Sequence, residues 1–489
     1  EMVNSQQDYI SVTALFVVNL LNYVDRYTVA GVLTQVQTYY NISDSLGGLI
    51  QTVFLISFMV FSPVCGYLGD RFNRKWIMII GVGIWLGAVL GSSFVPANHF
   101  WLFLVLRSFV GIGEASYSNV APSLISDMFN GQKRSTVFMI FYFAIPVGSG
   151  LGFIVGSNVA TLTGHWQWGI RVSAIAGLIV MIALVLFTYE PERGAADKAM
   201  GESKDVVVTT NTTYLEDLVI LLKTPTLVAC TWGYTALVFV SGTLSWWEPT
   251  VIQHLTAWHQ GLNDTKDLAS TDKDRVALYF GAITTAGGLI GVIFGSMLSK
   301  WLVAGWGPFR RLQTDRAQPL VAGGGALLAA PFLLIGMIFG DKSLVLLYIM
   351  IFFGITFMCF NWGLNIDMLT TVIHPNRRST AFSYFVLVSH LFGDASGPYL
   401  IGLISDAIRH GSTYPKDQYH SLVSATYCCV ALLLLSAGLY FVSSLTLVSD
   451  RKKFRAEMGL DDLQSKPIRT STDSLERIGI NDDVASSRL

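Results

Sequence analysis

Several acids and bases of this chain stand where lipid-facing helices do not tolerate them. Asp25 and Arg26 are adjacent inside residues 9–37, a stretch otherwise apolar enough to cross a bilayer. A charge at bilayer depth costs at least about 2.5–3.5 kcal/mol on insertion scales, so such residues face a protein interior or a watery cavity. A second apolar stretch, 100–128, carries Arg107 and Glu114. Their spacing is two helical turns, so both project from one face, roughly 10 Å apart along the axis. Counted from the outer ends of their stretches, Asp25 lies about 13 residues deep and Glu114 about 14; at roughly 1.5 Å per residue these are similar levels. With the first and fourth spans adjacent, Asp25, Arg26, Arg107 and Glu114 form one buried cluster. Two chemistries fit it: a static ion-pair network that fixes helix packing, or a switch. In a switch an arginine changes partner, and Asp25 or Glu114 binds and releases a proton.

Other polar positions interrupt apolar runs. His390 and Asp394 are four residues apart on one helix face, a candidate proton site set against the plainer reading of a hydrogen-bonded core histidine. Asn361, Asn365 and Asp367 lie in the tenth span, with Asp367 near its end and in reach of Arg377 or Arg378. Trp246-Trp247-Glu248-Pro249 reads as aromatic anchoring at a membrane interface rather than as a binding site.

The elements that must hold these residues follow from composition. Hydrophobic residues make up 52% and charged ones 13%, about half the share of a soluble domain, with 45 glycines. Windows of about 20 apolar residues place spans at 9–37, 45–68, 76–96, 100–128, 135–160 and 166–188, then at 226–253, 275–299, 319–340, 343–370, 379–405 and 420–448. The expected fold is an all-α membrane protein of twelve transmembrane helices in two six-helix bundles, 9–189 and 223–448. Residues 1–8 are a short end, 190–222 a polar linker, and 449–489 a charged tail expected to be disordered. All five cysteines fall in apolar segments and read as core packing. No nucleophile–base pair, metal-ligand spacing or nucleic-acid footprint stands out, so neither an enzyme nor a bound cofactor is expected.

Basic residues collect in alternate short loops, at Arg71, Arg74 and Lys75, at Lys133 and Arg134, at Arg310 and Arg311, and at Arg377 and Arg378. This asymmetry predicts that both termini are cytosolic. The sequons at Asn41 and Asn263 then fall in non-cytosolic loops, and that at Asn211 in the cytosolic linker. Lys133-Arg134-Ser135-Thr136 enters the fifth span and Arg377-Arg378-Ser379-Thr380 the eleventh, equivalent places in a six-helix repeat. Parallel repeats of this kind place a substrate site between two rocking halves.

Gly66-Tyr67-Leu68-Gly69-Asp70-Arg71-Phe72-Asn73-Arg74-Lys75 joins the second and third spans and resembles the gating-loop signature of the major facilitator superfamily. Its second-half counterpart, Gly295 to Lys300, lacks the acid–base pair. The glycine run Gly148, Gly150, Gly152 and Gly156 after Pro146 resembles the superfamily's antiporter motif without its usual Gly-Pro order, and a packing role and a gating role both fit.

Four segments together, Asn22 to Leu33, Gly111 to Ser118, Phe141 to Pro146 and Ser389 to Asp394, resemble the spinster family, over about residues 8–451. That resemblance implies export of lysolipids: lysophospholipids from lysosomes in some members, sphingosine-1-phosphate across the plasma membrane in others. It also implies transport roles for Asp25, Arg26, Arg107 and Glu114, with His390 implicated in the lysosomal branch. On this reading Asp25, Glu114 and His390 couple protons. Arg26, Arg107, Asn22, Tyr117 and Asp394 bind substrate, with an arginine on the phosphate. The expected partners are a lysolipid, protons and the bilayer, the protein acting as a monomer. The favoured compartment is the late endosome or lysosome, with the plasma membrane as the other reading. The same fold also admits another organic anion or a sugar.

Overall fold

The structure of the chain, a computed structural model, describes residues 2–129, 131–191, 214–373 and 377–457. Each apolar run forms a helix, because in lipid the backbone can satisfy its N–H and C=O groups only within the segment. Span 1 is Met2–Gly31 continued by Leu33–Tyr40, span 2 is Asp44–Arg71 and span 3 is Arg74–Ser92. Spans 4, 5 and 6 are Phe100–Met128, Gly131–Thr163 and Gln167–Phe187. A short helix, Tyr214–Leu222, leads into span 7, Pro225–His259, followed by span 8, Ser270–Ala304, and span 9, Ala317–Phe339. Span 10 is split into Leu344–Met358 and Asn361–Val372. Span 11 is split into Arg378–Ser389 and Gly397–Arg409, and span 12 is Pro415–Glu457.

Ten of these helices are long and apolar enough to cross a membrane. Spans 1 and 11 complete the twelve. Asn19, Asn22, Asp25 and Arg26 lower the hydropathy of span 1, and span 11 is broken in the middle. The break is one turn of π-helix, His390–Asp394, in which Gly393 leaves helical geometry with ψ −111°. Such turns recur at functional sites. Two boundaries differ from expectation. Span 12 runs on to Glu457, past the predicted end at 448, and the 190–222 segment contains the helix Tyr214–Leu222. Residues 192–213 and 458–489, including Asn211, lie outside the described residues.

Helix neighbours repeat between the halves. Span 1 packs on spans 5 and 6 as span 7 packs on 11 and 12, and span 3 packs on 4 as 9 packs on 10. The halves meet along two seams, span 5 against 8 and span 2 against 11. Gly150 and Gly281 make the first seam close: a Cβ on either would run into the other's carbonyl oxygen. In the second, a Cβ on Gly402 would meet the carbonyl of Asp44. The other glycines of the run in span 5, Gly148, Gly152 and Gly156, recur every four residues and face Leu20, Val24 and Thr28 of span 1. One glycine of the run therefore serves the seam between the halves, and three serve packing within a half.

Candidate functional site

Span 1 brings its charges to span 4 as the depth count predicts. The Arg26 guanidinium donates to the Glu114 carboxylate, both buried. Asn22, one turn earlier, sets its side-chain amide against both Glu114 oxygens at 2.9 and 3.0 Å, and with its nitrogen turned to the carboxylate it donates to both. Arg107 Nη1 stands 3.7 Å from Asp25 Oδ2. Asp25 also accepts from Trp85 Nε1 at 3.2 Å and from Ser173 Oγ at 2.8 Å. Two residues on spans 3 and 6 that no motif singles out thus complete its shell. Phe54 of span 2 lies between the arginines, its ring centre 4.9 Å from the Arg26 guanidinium carbon and 5.9 Å from that of Arg107. Such a ring face stabilises a desolvated cation.

The two ion pairs have different surroundings. Arg107 and Asp25 are 1–2% exposed and closed in on every side. Arg26 reaches a cavity of about 290 Å³ between the halves, and beside it Tyr23 and Tyr27 also line the wall. Across the cavity lie His390 and Asp394, joined by a 2.8 Å contact from Nδ1 to Oδ1 across the π-helical turn. Of the predicted site residues, Arg26, His390 and Asp394 line this cavity. Asp25, Arg107, Glu114 and Asn22 stand behind it. Tyr117 points elsewhere and donates to Leu15 O at 2.6 Å.

The cavity is amphipathic. Its polar end carries Arg26, His390, Asp394 and the hydroxyls of Ser149, Ser241 and Ser245. Its apolar arm lies among spans 7, 9, 10 and 12 and is lined by Leu244, Phe332, Met337, Leu347, Met350 and Val423. Glu248 stands on the wall of that arm. This corrects the anchoring reading of its segment: Trp246 and Trp247 are 1% and 0% exposed, and Trp247 Nε1 donates to Pro398 O at 2.9 Å. The physical reason is length. Span 7 runs to His259 rather than ending near 253, which draws both rings inward from the interface.

Hydrogen bonds join the halves between the midplane and the face opposite the termini. Asp406 of span 11 accepts from the backbone N–H of Asp44 and Ser45 at 3.1 and 2.8 Å. Asp274 of span 8 accepts from Ser157 and Thr161 of span 5 at 2.7 and 2.9 Å. Thr34 of span 1 donates to Gln253 of span 7 at 2.6 Å.

At the loop between spans 2 and 3, Arg74 is buried. It donates to Asp127 at 2.5 Å and to Glu190 at 2.8 Å, tying the ends of spans 3, 4 and 6, while Lys75 Nζ donates to Val185 O at 2.8 Å. A Cβ on Gly66 would meet nothing. The side chains of Asp70 and Arg71 lie outside the described residues. Asn361 donates to Ala322 O at 3.1 Å, and Asn365 accepts from Tyr440 at 2.8 Å, so both knit the second half together. Asn41 and Asn263 are exposed in loops on the face opposite the termini. The five cysteines are unbridged.

Comparison with known proteins agrees with this architecture. Residues 15–398 match the model of the Major Facilitator Superfamily. The chain is 41% identical over 461 residues to protein spinster homolog 1 of Xenopus laevis, covering 92% of this chain and 83% of the relative. Identity to spinster homolog 1 of Homo sapiens is 41% over 447 residues, covering 90% and 81%. A sphingosine-1-phosphate transporter of Xenopus tropicalis is 39% identical over 440 residues, covering 90% and 82%. Among solved structures, a bacterial homolog to the human lysosomal transporter spinster, in an inward-facing and occupied conformation, superposes with a TM-score of 0.73 at 20% identity, covering 90% of this chain and 97% of that one.

Proposed function

We propose that this chain, which belongs to the spinster family of the major facilitator superfamily, moves lysolipids by proton-linked alternating access. It is an integral multi-pass membrane transporter, and the members it resembles are transporters rather than enzymes. The observation that carries the lipid reading is the shape of the cavity, a charged end at Arg26 with an apolar arm, complementary to a phosphate with one hydrocarbon chain. A sphingosine-1-phosphate transporter among the relatives supports the same substrate class.

Phosphate arriving at Arg26 competes with Glu114 for the guanidinium. A carboxylate displaced from its arginine inside a low-dielectric site takes a proton, so lipid binding and proton binding are linked through one arginine. Asp25 and Arg107, closed off behind the cavity, hold span 1 against span 4 while Arg26 changes partner. His390 and Asp394, at the break in span 11, are the second proton-binding pair and the hinge of the opposite wall. With the termini cytosolic, the halves are sealed on the outer or lumenal face, and the cavity loads or empties on the cytosolic side. Asp70, Arg71, Arg74 and Lys75 belong to the cytosolic gate, and the protein works as a monomer in the late endosomal or lysosomal membrane.

The test is flux of lysophosphatidylcholine and sphingosine-1-phosphate, side by side, in proteoliposomes with and without a proton gradient. Gradient-dependent movement of either lipid is expected. Movement of sugars or simple organic anions with neither lipid would overturn the substrate class.

A further inference from the structure

Glu248 is the anomaly among the carboxylates of the transmembrane core. Asp25, Glu114, Asp394, Asp44, Asp406 and Asp274 each have a cation or hydrogen-bond donors. Glu248 has neither a hydrogen bond nor an ion pair among the described residues, yet it faces the cavity. A carboxylate buried without a counter-charge costs stability, which a fold does not carry idly. Its own helix sets Leu244, Ser245 and Val251 on the same cavity wall, and Met337, Leu347 and Val423 close the arm from spans 9, 10 and 12, with Tyr419 and Thr426 of span 12 as the uncharged polar side chains nearby. The acid therefore stands along the hydrocarbon arm rather than beyond the charged end. Counted from the outer helix ends at Tyr40 and His259, Arg26 of span 1 and Glu248 of span 7 differ in depth by about one helical turn. Spans 1 and 7 are equivalent members of the two repeats, so the cavity carries a cation on one repeat and an unpaired acid at nearly the matching place on the other.

We propose that Glu248 binds a primary ammonium group lying between the phosphate and the hydrocarbon chain of the transported lipid, as in a phosphorylated sphingoid base. The inference rests on the lysolipid reading and sharpens it. Arg26 takes the phosphate, the arm takes the chain, and Glu248 selects lipids with an amine at the junction over those with a hydroxyl or ester there. Tyr27 and Phe280 line the same cavity, and aromatic rings are a favourable setting for such a cation.

The experiment compares sphingosine-1-phosphate with a lysophosphatidate of matched chain length, both phosphate monoesters of one chain, in proteoliposomes of the full chain and of Glu248→Gln. The expected result is at least a ten-fold loss of sphingosine-1-phosphate flux in the variant with lysophosphatidate flux retained, the latter also showing that the variant is folded. Equal loss of both lipids, the pattern of a proton-coupling or purely structural acid, overturns the inference, and so does loss of neither. A wild-type measurement guards against a variant that fails to fold: N-acetylated sphingosine-1-phosphate, whose amine is neutralised, competes at least ten-fold more weakly than the parent lipid, and equal competition overturns the inference. Wild-type protein that moves neither lipid overturns the lysolipid reading and this inference with it. Wild-type flux of both lipids without discrimination by Glu248 overturns the inference alone.

Discussion

The two halves of the molecule repeat one helix arrangement and use it differently. In the first half the buried charges away from the seam with span 11 are matched within the half, Arg26 with Glu114, Arg107 with Asp25, and Arg74 with Asp127 and Glu190, while Asp44 at that seam pairs with Arg409 of the second half. Its spans 2 to 6 each run as one helix. In the second half spans 10 and 11 are broken at the level of the cavity, most of the apolar arm is lined from this side, and Glu248 is left unmatched. The contrast assigns the roles. A half that satisfies its own charges can turn as a rigid body, whereas a half with interrupted helices and an open acid is shaped around a ligand. The loop motifs of the two halves differ in the same sense, since Gly295 to Lys300 lacks the acid–base pair present at Asp70 and Arg71.

The largest effect expected from disturbing this division comes from Asp25→Ala. It leaves Arg107 fully buried without a counter-charge and leaves Trp85 and Ser173 without their acceptor. Breaking a buried pair costs about 3–5 kcal/mol, so thermal unfolding in detergent should show a sharply lowered midpoint or no folded protein. A midpoint equal to wild type would remove the claim that the first half is held by its internal charges. Next in size is Arg74→Ala, which leaves Asp127 and Glu190 facing each other at the ends of spans 4 and 6. A loss of about 1–3 kcal/mol, in keeping with an unsatisfied buried hydrogen-bonding group, should appear in the same assay together with slowed flux.

A smaller effect tests the seam between the halves. Gly402→Ala places a methyl group against the Asp44 carbonyl, where overpacking costs about 1–3 kcal/mol. The cost falls on the closed face opposite the termini alone, so labelling of a cysteine introduced beneath that face should rise while unfolding changes little. Gly438→Ala, where a Cβ meets nothing, should alter neither. The smallest change is Phe54→Leu, which removes the ring shared by both guanidiniums and should cost about 0.5–2 kcal/mol in the unfolding assay. An unchanged midpoint would show that the ring only fills space.

Much of this was legible in the sequence, for identifiable reasons. Span length and hydropathy are one-dimensional properties, so the helices stand close to where they were expected. The level of Asp25 and Glu114 followed from counting residues along continuous stretches, and the cluster is found. The assignment of Arg107 to the lipid was not testable in this way, because spacing along span 4 says which face a side chain takes but not whether Phe54 and span 3 close it off. His390 and Asp394 were paired on α-helical spacing, and they do pair, though through a π-helical turn that residue types alone did not announce. Glu248 was missed because its reading hung on where span 7 ends. Six further residues of helix, to His259, carry Trp246 and Trp247 into the core and turn an expected interfacial acid into a cavity acid.

The central claim is that Arg26 exchanges Glu114 for the lipid phosphate, and that the released carboxylate carries the proton. The most direct measurement is lipid flux by Glu114→Gln in proteoliposomes with and without an imposed proton gradient, alongside wild type. The account predicts a folded variant whose flux no longer responds to the gradient, while wild-type flux does. A variant that responds to the gradient as wild type does would contradict it.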